Sequence, residues 1–112
     1  MANYTERIDG FQICDPTYLG DPPKDRPPMF SIVKWYQTEP QEVIDMRTGM
    51  LVTITEHCCV VARLEWNKRE RCFDFKSVGL RWLRANPSQV VIDMILDFAK
   101  KKDAELCEDD RR

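Results

Sequence analysis

Between Cys58 and Phe75 the chain alternates apolar and polar positions in two runs, separated by Asn67-Lys68-Arg69-Glu70. Successive side chains of a strand point to opposite faces, so this pattern predicts a β-hairpin. One face carries Cys58, Val60, Ala62, Leu64 and Trp66; the other carries Cys59, Val61, Arg63 and Glu65. A four-residue loop over 67–70 sets Leu64 opposite Phe73, Ala62 opposite Phe75 and Arg63 opposite Asp74. A one-residue slip would turn Phe73 to the polar side.

Upstream, the aromatic and β-branched run Phe30–Gln37 predicts a strand that ends at Glu39-Pro40. Glu42–Met46 and Met50–Thr55 predict a second hairpin closed by Arg47-Thr48-Gly49, with Ile44 opposite Val52 and Met46 opposite Met50. A three-residue connection at Thr55-Glu56-His57 would then align Val52 with Val60 and Ile54 with Cys58. The alternative is one long bent strand running through residue 57.

After Phe75 the period changes. Ser77 is a candidate N-cap for a short helix, Val78–Ala85, although Gly79 inside it costs roughly 1 kcal/mol relative to alanine. Asn86-Pro87 restarts a helix in which Val90, Val91, Met94, Ile95 and Phe98 form a stripe at helical spacing, fading near Leu106. The fold class that follows is α+β: an antiparallel meander of four to five strands, then a short helix and a long C-terminal helix packed on one sheet face.

Five of the seven prolines lie within Met1–Met29. They predict a proline-rich arm (1–29) with polyproline-like stretches, held on the domain by Phe11, Ile13, Tyr18 and Leu19. No two prolines stand in a PxxP relation, so the arm reads as packing rather than as a ligand motif. The domain proper covers 30–106, and 107–112 is a charged tail. The N-terminus lacks the apolar core of a signal peptide, and no apolar run reaches the ~18 residues of a membrane span. Five cysteines without a CxxC suit reduced thiols, and the expected location is cytoplasmic.

Charge adds one asymmetry to a chain of net charge −2. Arg63–Arg84 holds seven Lys/Arg against three Asp/Glu, whereas Met1–Ala62 holds five against nine. Lys68, Arg69, Arg71, Lys76, Arg81 and Arg84, interleaved with Trp66 and Trp82, make the candidate partner-binding surface on the hairpin tip and short helix. Phe73, Phe75 and Trp82 are assigned to the core.

Catalytic signals are weak. His57-Cys58-Cys59 groups the single histidine with two thiols, but Cys58 and Cys59 point to opposite sides of a strand and the spacing suits neither a nucleophile–base pair nor zinc. The expectation is buried cysteines beside a turn histidine. Asp93 and Asp97, at i and i+4, read as a solvated helix face. The four glycines form no phosphate-binding loop. No catalytic, cofactor or metal residues are therefore assigned.

Together these features predict a small non-enzymatic protein-interaction domain, a regulator or inhibitor, whose partner carries an acidic surface. The alternatives are a nucleic-acid-binding domain using the same basic surface, and a small-molecule-binding or enzymatic pocket between helix and sheet. An uncovered edge of the Phe30–Gln37 strand would add a route to a homodimer.

Overall fold

The computed structural model describes residues 5–14 and 28–109. Expectations placed on 1–4, on 15–27 (most of the proline-rich stretch, with Tyr18 and Leu19) and on 110–112 lie outside the described residues. Four strands and two helices follow in chain order: β1 (Phe11–Cys14), β2 (Met29–Ile44), β3 (Leu51–Asn67), β4 (Cys72–Ser77), α1 (Arg81–Ala85) and α2 (Gln89–Asp109). The strands form one antiparallel sheet in the order β1-β2-β3-β4. The fold is the α+β meander that the alternation and the later helical period predict.

The long helix lies over the sheet face that alternation marks as apolar. Val91, Ile95 and Phe98 of α2 are buried with Phe11, Ile13, Phe30, Ile32, Ala62, Leu64 and Phe73. The Phe30 ring sits 5.4 Å from that of Phe73 and 5.0 Å from that of Phe98. Each of these Val, Leu, Ile and Phe side chains contributes roughly 1.5–3 kcal/mol through burial, so this interior is the main favourable term.

The β3–β4 register differs from the predicted one by two residues: Leu64 faces Phe75, Trp66 faces Phe73, and Glu65, not Arg63, faces Asp74. Asn67 is the reason, because it closes the strand rather than opening the loop. Its Oδ1 accepts the amides of Arg69 and Glu70, both at 3.0 Å, and its carbonyl accepts the Arg71 amide at 2.8 Å. Arg71 completes the loop in the left-handed region, with φ of 57°. An even shift leaves residues 62–75 on their predicted faces, but the inserted residue near Val61 reverses those before it, so Cys59 and Val61, not Cys58 and Val60, lie against the core.

The other hairpin slips by one, so its faces reverse. Ile44 pairs with Leu51 and Val43 with Val52, around a four-residue loop over 46–49. Asp45 does here what Asn67 does in the second turn. Its Oδ1 accepts the Arg47 amide at 2.9 Å, and its carbonyl accepts the amide of Gly49, which has φ of 70°.

Two further expectations fail. Glu39-Pro40 does not end β2; Thr38–Pro40 bulge out opposite Thr55, between the Gln37–Glu56 and Gln41–Ile54 pairs. A bulge is where a residue without an amide hydrogen fits into a strand. Nor is there a turn at Thr55–His57, because β3 is the continuous strand given as the alternative. An extra residue near Val61 bends it, which lets Val61 and Ala62 both be buried. β1 stops opposite Lys34 and β4 stops opposite Ala62. Beyond those points β2 and β3 continue as a two-stranded ribbon, and the molecule measures 49 × 34 × 24 Å.

The described part of the N-terminal arm is regular. Asp9 and Gly10, with φ of 51° and 83°, form a tight turn closed by two Ile8–Phe11 backbone hydrogen bonds of 2.9 Å. The chain then enters β1, whose Phe11 and Ile13 are fully buried. β1 therefore covers the Ser31–Lys34 edge of β2, which an edge-to-edge homodimer through the Phe30–Gln37 strand would require to be open.

At the other end, Gly79 takes φ of 53°, so the short helix begins only at Arg81 and Ser77 remains in β4. Asn86 is left-handed and caps the C-terminus of α1, its amide donating to the Leu83 carbonyl at 3.1 Å. It does not start α2. That helix runs on to Asp109, through the start of the predicted tail.

Candidate interaction surface

The predicted partner-binding residues do not form one patch. Lys68, Arg69 and Arg71 are exposed on the β3–β4 turn. Trp66 lies beneath that turn, half-buried, with its ring 5.1 Å from Phe73. Lys76 stands at the far end of β4, directly opposite Arg63 and on the face away from α2. Arg81 and Arg84 are exposed on α1, and Arg81 Nη1 donates to the Val60 carbonyl at 3.1 Å. The six residues of β4, roughly 20 Å of strand, separate the two cationic ends.

Between those ends lies an apolar groove that the linear pattern does not reveal. Leu64, Phe73, Phe75, Trp82, Ile92, Ile95, Leu96 and Ala99 line a volume of about 260 Å³ between β3, β4, α1 and α2. Phe75, assigned to the core from sequence, is 42% exposed, and Leu96 is 52% exposed. Trp82 holds the wall in place: its ring stands 4.9 Å from Phe75 and 6.0 Å from Phe11, edge-on to both. Phe75 leaves the core because an open groove, not close packing, separates it from Ile92, Ile95 and Leu96 of α2. The one signal for it along the chain is a set of apolar positions off the main helical stripe, Leu96 on α2 and Leu80 and Leu83 around α1.

The thiol cluster resolves differently from its expectation. His57 is not in a turn; it lies within β3 opposite Tyr36, the two rings stacked at 5.6 Å. Cys58 is exposed and Cys59 half-buried, so neither is the buried small hydrophobe expected. Desolvation pushes the Cys58 thiol up, as does neighbouring Cys59, while Arg7 opposes them. Desolvation and Cys59 likewise raise Tyr36. These shifts favour the protonated forms, the opposite of an activated nucleophile.

Asp93 and Asp97 are exposed beside an open trough lined also by Thr5, Ile8 and Lys101, and Gln89 Nε2 donates to Asp93 Oδ1 at 3.0 Å. Among the described residues no three His, Cys, Asp or Glu side chains gather in a metal-binding group. A second polar cluster, on the face away from α2, has no counterpart in the sequence pattern. Gln12, buried, accepts from Trp35 Nε1 at 3.1 Å and donates to the Thr5 carbonyl at 3.0 Å. Arg7 lies 3.7 Å over the Trp35 ring and pairs with Glu56 at 2.8 Å. These contacts fasten the N-terminal segment to the base of the ribbon.

Among the described residues no helix is long and apolar enough to cross a membrane. Set against known proteins, the chain matches no family model, no curated protein sequence and no solved structure.

Proposed function

We propose that this chain is a small non-enzymatic protein-interaction domain, of the regulator or inhibitor kind. It takes an acidic partner along β4 rather than on the hairpin tip alone. The observation that carries the reading is the exposed apolar groove of Phe75, Trp82 and Leu96 with cations at both ends. A complementary segment has apolar side chains in its middle and carboxylates at its ends. Burying an aromatic wall supplies affinity, while the end charges steer approach and set register.

Binding is tested with a display library of acidic amphipathic peptides, read through the fluorescence of the tryptophans. Selected peptides should lose at least about tenfold in affinity to Leu96→Glu and to Arg84→Glu, with the melting temperature unchanged. Binding indifferent to both variants would remove the groove from consideration. Capture of single-stranded oligonucleotide instead, with several ions released in a log–log salt plot, would replace this reading with the nucleic-acid one.

A further inference from the structure

The ribbon formed by β2 and β3 beyond the sheet presents a second, separate surface. Ile44, Met46, Met50, Leu51, Val52 and Ile54 are all at least 36% exposed, and Met46 is 93% exposed. Ile44 and Leu51 lie on one face of the ribbon, and Val52 and Ile54 on the other, so both faces carry exposed apolar side chains. A two-stranded ribbon is at best marginally stable in water without a cover.

The two edges of this ribbon are built differently. On β2 the edge is interrupted by the Thr38–Pro40 bulge and carries Glu39, Glu42 and Asp45, all features that block strand addition. On the other edge, Met50 and the β3 residues Leu51-Val52-Thr53-Ile54-Thr55 include no charge, no proline and no inserted residue, and all of them are exposed. The outer side of this stretch has no strand partner among the described residues, since β4 begins its pairing only at Ala62.

We infer that Met50–Thr55 is a self-pairing edge through which two copies of this chain join, antiparallel, about a two-fold axis at Thr53. An uncharged β-branched strand is matched in charge and shape by another of the same kind. With the axis at Thr53, Thr53 faces its own copy and Val52 faces the partner's Ile54, a like-with-like arrangement that is isologous and closed.

Sedimentation velocity over a concentration series tests the inference, together with hydrogen exchange at the β3 edge. The wild type should move from 13.2 kDa to twice that mass, and protection of Leu51–Thr55 amides should rise in step. Thr53→Lys places two cations face to face at the axis and should weaken the dimer by at least roughly tenfold. Glu39→Lys, in the bulge of the opposite edge and not paired with any residue of Met50–Thr55, should leave it intact. A wild type that stays monomeric, edge protection that does not depend on concentration, or growth of open fibres would each overturn the proposal. Exchange on the wild type decides the matter even if Thr53→Lys does not fold, and neither measurement involves the β4 groove.

Discussion

At Asn67 one side chain organises a whole turn. It accepts two amides of the loop and donates through Nδ2 to Asp74 Oδ2 at 2.9 Å. Asn67→Ala should therefore lower stability by about 1–2 kcal/mol, seen as a reduced urea midpoint with an unchanged slope. The residue is also why the predicted β3–β4 register misses by two. Propensity makes asparagine a loop residue, whereas its side-chain bonds make it the last paired residue of β3. Asp45 repeats the device at the ribbon tip, where a three-residue loop takes too little account of an aspartate able to bond the amide two residues on. The clearest local signal outside the predicted elements is Asp9-Gly10, the dipeptide best suited to a turn with two positive φ values.

Elements meet in this fold through a few polar anchors as well as the apolar stripe. The Phe73 amide, on the free edge of β4, donates to Asp103 Oδ1 of α2 at 2.9 Å. That bond pins the C-terminal half of the helix across the strand and closes part of the edge. Asp103→Ala should cost roughly 1.5–3 kcal/mol and raise hydrogen exchange in β4 and in the last turns of α2, leaving β1 and β2 protected. Ser88 Oγ, donating to Asp9 Oδ2 at 2.7 Å, ties the start of the same helix to the N-terminal turn. The stripe Val91, Ile95 and Phe98 is readable from spacing alone, because burial of one helical face imposes a 3.6-residue period. The anchors are not, since Asp103 and Phe73 stand 30 residues apart and nothing local links them. The groove escapes for the same reason. Its walls come from four elements, β3, β4, α1 and α2, and the exposure of Phe75 depends on how closely α2 packs beside β4.

Across the fold, among the described residues, Cys58, Cys72 and Tyr36 have raised pKa values, the thiols above 9.0 and the phenol above 10.0. Desolvation is the leading cause in each, and for Cys72 the nearby Asp74, Asp103 and Glu70 add to it. A raised folded-state pKa means that the native protein holds these protons more tightly than the unfolded chain does. Their contribution is thus complete below pH 9, is lost as pH rises through the thiol range, and declines again once tyrosine titrates. Urea unfolding should show constant stability from these groups up to about pH 8.5 and a falling limb beyond it. Cys58→Ser should flatten the first part of that limb. The overall dimensions follow from the ribbon, since β2 and β3 outrun both neighbouring strands.

Side-chain period is a local property, and it was enough to determine the faces of residues 62–75, the main helical stripe and the α+β class. The basic stretch from Arg63 to Arg84 is a matter of composition and is equally legible along the chain. Tertiary structure alone decided the registers, the single run of β3, the place of β1 at the sheet edge and the groove beside β4. Each of these depends on which distant segments compete for the same edge or the same apolar face. A register shift of two leaves the alternation unchanged, so no pattern along the chain can reveal it.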